Sequence, residues 1–425
     1  MAIKLVDVEI TKPLPKISGL ERYSRVWVFV NYEGVPIDRA RIENSGDEIS
    51  PERLAMAIAD QTGPNLLRHR LYQRFIGNSA DWESGVDNLL SRSEAPERKQ
   101  PQPFISVIVC TRDRAGSLGR ALDSLTRLDY PEFEVLIVDN CPSDDSAAEV
   151  AERYCFQRVV EPLPGLDFAR GRGIAEAKGE IVAFTDDDAT ADPGWLRGIA
   201  NGFADPKVMC VTGLVLPAEL ETRAQELFEV AYGGFGRGFG RATFDGNGSS
   251  KYESYWPSLY GTGCNMAYRK EVFDKMGGFD PAFDVGTPTG GGGDMEMFHR
   301  LARAGCVIAY RPDAVVRHRH RADERDLRRL LFNYGRSFTA FLTKCMVEEK
   351  GDRFKIAKFL VRWYVRWFVK RALRLSGPKK TDLVMPMKYI AVEAVGSFTG
   401  PWAYFKSRRN ATRLKTAAGG DENAD

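Results

Sequence analysis

Glu180-Ile-Val-Ala-Phe-Thr-Asp-Asp-Asp188 joins a short apolar run to three consecutive carboxylates. Ile181 to Phe184 reads as a strand buried on both faces, the kind that builds parallel sheets. Asp186, Asp187 and Asp188 follow it directly. Like charges in a row repel, and burying them uncompensated is very costly. A divalent cation removes that cost. Hard oxygen ligands suit Mg²⁺ or Mn²⁺, ions that commonly carry substrate phosphates. Position adds to composition, because open α/β sheets bind ligands at the carboxyl ends of their strands. A solvated loop capping the next helix is the competing reading, since Asp192-Pro193 is a good helix start.

Upstream, Phe104-Ile-Ser-Val-Ile-Val-Cys110 is a second apolar strand, followed by Thr111-Arg-Asp-Arg114 and a helix through Leu125. Phe133-Glu-Val-Leu-Ile-Val138 is a third, closed by Asp139 and Asn140. Strand, helix, strand, helix, strand predicts a parallel sheet with right-handed crossovers. Its strand ends deliver Thr111, Arg112, Asp113, Arg114, Asp139 and the Asp186–Asp188 run to one edge. That edge suits a nucleotide but not a dinucleotide, for the sequence holds no Gly-x-Gly-x-x-Gly between strand and helix and no Gly-Lys-Ser/Thr phosphate loop. Thr111 and Asp139 can hydrogen-bond a base or ribose, although an aspartate after a strand is also a common turn-former. A helix is expected to begin near Asp167. In it, Arg170 or Arg172 could pair with a diphosphate, or either could be a surface arginine.

Downstream, Val208 to Thr212 suggests another strand. Gly233-Gly-Phe-Gly-Arg-Gly-Phe-Gly240 has no strand before it and reads as a lid, a sugar-facing loop or a plain surface loop. Strand-like apolarity returns at Gly261-Thr-Gly-Cys-Asn-Met-Ala-Tyr-Arg-Lys270. Gly290 to Gly293 let backbone approach a ligand closely. A helix then runs from Asp294 to just before Gly305, which places Asp294 at the N-cap. An aspartate at a helix start above a pocket could also deprotonate a hydroxyl. Glu296 is expected to point elsewhere on the helix. His318 and His320 end a strand and offer imidazoles that could complete a metal shell or serve structure alone.

Together these residues resemble the family 2 glycosyltransferases of the GT-A fold. The resemblance spans about 104 to 320. It rests on Ser106-Val-Ile-Val-Cys-Thr-Arg-Asp-Arg114, Leu136-Ile-Val-Asp-Asn140, Ala169-Arg-Gly-Arg-Gly173, Phe184-Thr-Asp-Asp-Asp188, Gly263-Cys-Asn-Met-Ala-Tyr-Arg269, Gly277-Gly-Phe-Asp280 and Asp294-Met-Glu-Met-Phe-His-Arg-Leu301. Each motif is weak alone, but their order and spacing are specific. The resemblance implies an inverting, metal-dependent transfer of a sugar from a UDP-, GDP- or dTDP-sugar to a saccharide or lipid-linked saccharide, in the synthesis of cell-surface glycoconjugates. It further implies that Thr111 and Asp139 hold the nucleoside, with Arg112, Asp113 and Arg114 beside them. Arg170 would face the diphosphate and Asp187 the nucleotide sugar. Asp186, Asp188 and His318 would hold the metal, with Asp294 as general base. Two positions depart from the family pattern. Gly293 stands where an acid usually precedes the base, which keeps Glu296 as a rival, and Gly171 stands where an asparagine usually follows the arginine. A sugar-phosphate nucleotidyltransferase or a non-catalytic sugar-binding protein is the alternative.

The remainder is accessory. The 425 residues allow two or three domains, and a net charge of +2 implies no attraction to nucleic acid. Seven scattered cysteines, with no Cys-x-x-Cys pair, favour reduced thiols in the cytoplasm. Neither a signal peptide nor a membrane-spanning run is expected. Residues 1–100 predict a small α+β module, with a hairpin turning at Tyr32-Glu33-Gly34, a helix from Ser50 and a linker over 91–103. The glycosyltransferase domain is expected over 104–322. Residues 323–425 predict helices. Among them Lys358, Arg362, Arg366, Lys370 and Arg374 form a stripe beside Trp and Phe, suited to the inner face of the plasma membrane. A core-packed helix with snorkelling cations is the other reading.

Overall fold

The computed structural model describes residues 2–44, 46–75, 102–245, 253–376 and 383–421. At the N-terminus are β1 (Ala2–Glu9), β2 (Ile17–Ser18), β3 (Tyr23–Tyr32), β4 (Val35–Glu43), β5 (Glu48–Ile49) and α1 (Pro51–Phe75). The expected hairpin is β3 and β4, paired antiparallel. Glu33 and Gly34 at its tip have φ of 52° and 76°, the left-handed pair that matches the twist of the strands. Ser50 Oγ accepts from the Arg53 amide at 3.3 Å and so starts α1. Most of the expected linker, up to Pro101, lies outside the described residues. The module is bound to the main sheet rather than loosely hung. Ile3, Trp27 and Phe29 pack on Leu214, Leu216, Leu220 and Val315, and Arg317 pairs with Asp7 at 2.6 Å.

The chain then alternates β6 (Ile105–Thr111), α2 (Ala115–Leu125), β7 (Phe133–Asn140), α3 (Ser146–Glu152), β8 (Gln157–Glu161), α4 (Leu166–Glu176) and β9 (Ile181–Asp186). β8 was not expected. It is a half-exposed edge strand with polar ends, so it lacks the apolar run that marks its neighbours. Next come β10 (Ala189–Ala191), α5 (Trp195–Gly202), β11 (Val208–Pro217), α6 (Arg223–Glu226, prolonged as a π-helix to Tyr232), β12 (Ala242–Phe244), β13 (Asn265–Arg269), α7 (Glu271–Met276), α8 (Gly293–Arg303) and β14 (Val307–His318). The sheet order is β10-β14-β11-β13-β9-β6-β7-β8, with β12 beside β14. β6 to β9 are mutually parallel, as are β11 and β14. β13 is antiparallel to both its neighbours. This is the expected α/β fold, a mostly parallel sheet with helices on both faces. Ile181 to Ala183 are fully buried at its centre.

α9 (Glu324–Glu348), α10 (Arg353–Ser376) and α11 (Met387–Asp421) complete the structure. α10 packs one face on the protein and turns the other to solvent. Three of its aromatic residues turn inward: Phe359 and Trp363 pack beside Phe338, Phe341 and Cys345 of α9, and Trp367 joins a cluster with Leu327 and Leu331. Lys358, Arg362 and Arg366 are exposed, as snorkelling cations would be. The side chains of Lys370 and Arg374 lie outside those described. Among the described residues, no helix is long and apolar enough to cross a membrane.

Candidate active site

Register brings the candidates together. Thr111 lies opposite Asp139 on β7, and Cys110 lies opposite Asp186 on β9. Asn265 of β13 pairs with Thr185, so Gly263 and Cys264 arrive beside the tip of β9. β10 pairs with β14 at Ala189 and His318, which sets that imidazole against Asp188.

The three aspartates have different fates. Asp187 is buried; its carboxylate accepts from Thr111 Oγ1 at 2.8 Å and from Arg114 Nη1 at 2.6 Å. Burial still pushes it up to about 7, against the pull of Arg114. Asp188 is held by Arg114 at 2.7 Å, His318 Nε2 at 3.1 Å and Arg321 at 3.5 Å. Burial opposes ionisation there too, but His318 and Arg114 win and keep it far below the ordinary range. Asp186 is pushed up to about 6 by burial and then by Asp188. Ligand atoms of Asp186, Asp188 and His318 lie within 4.8 Å of one another. Two carboxylate oxygens and one imidazole fit Mn²⁺ or Mg²⁺. The mutual repulsion that raises Asp186 is the kind a cation relieves.

Asp294 comes close to the same strand tip, for Cys264 feels the charges of Asp186, Asp188 and Asp294 alike. It is not the N-cap that the sequence suggested; that place is taken by Gly292, whose φ of 104° suits glycine alone. Asp294 lies two residues inside α8, where Oδ1 accepts from the Met295 amide and Oδ2 from the Gly263 amide, both at 2.8 Å. Burial and then Asp284 raise its pKa, so it holds a proton more readily than a surface aspartate. Glu296, the rival base, is 1% exposed. It is committed to Lys344 at 2.8 Å and Arg300 at 2.9 Å, toward α9.

Arg170 is also not where the sequence put it. Its guanidinium is 4% exposed, with Nη1 at 2.8 Å from Asp167 and 2.5 Å from Asp284. It lies close enough for Asp186 and Asp294 to stabilise its charge. Arg172 pairs with Glu176 on the surface. Sequence reasoning missed Asp167 and Asp284. One signal was available for Asp167, its i,i+3 spacing from Arg170 in the expected helix; in the structure a Cβ at Gly293 would collide with its carboxylate. The glycine that departs from the family pattern makes room for an acid from another helix. Asp284, at φ 75°, carried no signal.

The remaining candidates form the rim. Asp139 is fully buried, pairs through Oδ2 with Arg158 at 2.7 Å, and keeps Oδ1 without a partner among the described residues. Arg112 and Asp113 are exposed, and Asp113 accepts from the Ser143 amide at 2.9 Å. His320 is not with the metal candidates; its Nε2 meets Glu229 at 3.0 Å. Phe235, from the glycine-rich stretch, packs edge-on against His318 with centroids 5.0 Å apart.

Residues 106–277 match the family described as Glycosyl transferase family 2. The chain carries a family 2 glycosyltransferase domain. It is similar to the pre-mycofactocin glycosyltransferase of Mycobacterium tuberculosis, at 27% identity over 227 residues, 52% of this chain and 44% of that protein. It is similar to a glucosyl-dolichyl phosphate glucuronosyltransferase of Haloferax volcanii, at 26% over 204 residues, 45% of this chain and 59% of that protein. An O-antigen biosynthesis protein of Myxococcus xanthus is 27% identical over 302 residues, 68% of this chain and 22% of that protein. The chain thus spans about half the length of the first two relatives.

Proposed function

We propose that this glycosyltransferase domain moves a sugar, with inversion, from a nucleotide diphosphate sugar to a hydroxyl of a saccharide or lipid-linked saccharide. The observation that carries the reading is the convergence of Asp294 with the Asp186–Asp188 tip. Asp294 is fastened to Gly263, and Gly263 arrives beside the Asp186–Asp188 tip through the pairing of β13 with β9. A Mg²⁺ or Mn²⁺ ion at Asp186, Asp188 and His318 would supply charge neutralisation for the departing diphosphate. The nucleoside is assigned to the rim at Thr111 and Asp139, where the spare Oδ1 of Asp139 suits a base N–H. Asp294 takes the proton of the acceptor hydroxyl as its oxygen bonds to the anomeric carbon. The bond from that carbon to the diphosphate oxygen breaks, and its electron pair leaves with the nucleotide. Arg170 is assigned to holding the floor in place. Arg321, 43% exposed and 3.5 Å from Asp188, is the better placed cation for the leaving group. The lipid-linked acceptor class takes support from the dolichyl phosphate in the Haloferax relative's name.

Asp294→Asn tests the reading. Sugar transfer should fall by roughly 10²–10⁴-fold, the range of a lost general base. Nucleotide binding, measured by calorimetry, should stay within a factor of a few. Normal transfer by the asparagine variant sinks the assignment.

A further inference from the structure

We infer that α11 docks the protein on an anionic lipid surface through Val395, Phe398, Trp402 and Phe405. These side chains are 57%, 85%, 66% and 53% exposed. Their spacing of three, four and three residues sets them on one face of the helix. A surface stripe of two phenylalanines and a tryptophan is not ordinary surface scatter.

The opposite face of α11 explains why the stripe is not a packing failure. Gly396, Gly400, Ala403, Tyr404 and Ser407 are buried. A Cβ at Gly396 would collide with the Phe332 carbonyl, and one at Gly400 with Thr339. The helix already lies as close to α9 as backbones allow, so its outward face is free to meet something else.

Charge says what that is. Residues 394–420 contain no acid and five cations, Lys406, Arg408, Arg409, Arg413 and Lys415. All five are exposed. Arg409 and Arg413 continue the line of the aromatic stripe, and Lys406 lies 4.7 Å from the Trp402 ring. Aromatic rings at headgroup level, followed by cations facing lipid phosphates, describe a helix lying in a membrane interface. The solvent side of α10 has the same character, with Phe354, Val361 and Val365 exposed among Lys358, Arg362 and Arg366. No described helix is long and apolar enough to cross, which fits lying on the surface. The inference does not depend on the proposed sugar transfer.

The test is flotation of the full chain with vesicles of phosphatidylcholine, with and without phosphatidylglycerol. The protein should float with the mixed vesicles, stay below with phosphatidylcholine alone, and be released by salt. Phe398→Ser with Trp402→Ser, and separately Arg409→Glu with Arg413→Glu, should each cut the bound fraction by roughly tenfold or more. Their melting temperatures should stay at the parent's, since all four side chains are exposed. Failure of the parent to float overturns the inference, as does unchanged flotation of the serine pair. A parent that instead dimerises in sedimentation, with the dimer lost in the serine pair, assigns the stripe to a second copy and overturns it as well. Donor hydrolysis in lipid-free buffer reads the sugar-transfer proposal separately.

Discussion

At Asp294 the surroundings raise the affinity for a proton, first by burial and then through Asp284. A carboxyl whose folded pKa is raised is protonated at low pH and becomes a base only once pH passes the raised value. The acidic limb of kcat/KM should therefore lie above the ordinary aspartate value of about 3.9. Asp284→Asn removes the second cause and leaves Arg170 less neutralised, and both changes favour ionised Asp294. The limb should move to lower pH; a limb that stays or rises refutes the coupling. The same variant should lose stability by about 3–5 kcal/mol or less in urea, because it weakens a buried pair while keeping the shape. At this scale the sequence revealed residue types and strand ends, so Asp186, Asp188, His318 and Asp294 were all legible. It did not reveal pairings between distant segments. Asp284 reaches Arg170 from 114 residues away, and nothing local distinguishes it from a surface acid.

Among the elements, the residue pattern predicted helices after residue 323, and its continuous apolar runs located β6, β7 and β9. It could not say which face of α10 was occupied, because a helix with aromatics all round reads the same with lipid or with α9 beside it. What settles the packing of α11 is glycine. Gly335 on α9, with Gly396 and Gly400 on α11, lets the two backbones meet. Gly396→Ala and Gly400→Ala should each cost about 1–3 kcal/mol, the usual penalty of overpacking. Gly171→Ala in α4 is the control, since nothing lies within 4 Å of its Cβ position. That change should stabilise by about 0.5–1 kcal/mol through helix propensity. Equilibrium urea unfolding compares the three. Equal effects at positions 171 and 400 would mean that α9 and α11 do not touch as described.

Across the whole molecule, the N-terminal module reaches the candidate metal residues through one file of side chains. Arg39 of β4 stacks on Trp27, 3.8 Å from the ring, and lies 3.7 Å from Glu229. Burial and then Arg41 lower its pKa to about 10, while Glu229 and Asp38 pull it back up. Glu229 holds His320 at 3.0 Å, and the His320 ring lies 5.6 Å from that of His318, which meets Asp188. The His320 ring thus backs the imidazole of His318. Removing a partner behind a ligand typically weakens metal binding by about 10–100-fold. Glu229 sits one ring further back, behind His320, so Glu229→Gln should raise the Mn²⁺ concentration needed for half-maximal donor hydrolysis by less than that, a few-fold. Arg39→Ala, one contact further out, should shift it in the same direction by less. Lys12→Ala, on an exposed turn of the same module, should leave it alone. A Glu229→Gln protein that titrates like the parent would show the module to be a separate attachment, its ion pairs to the sheet serving stability only.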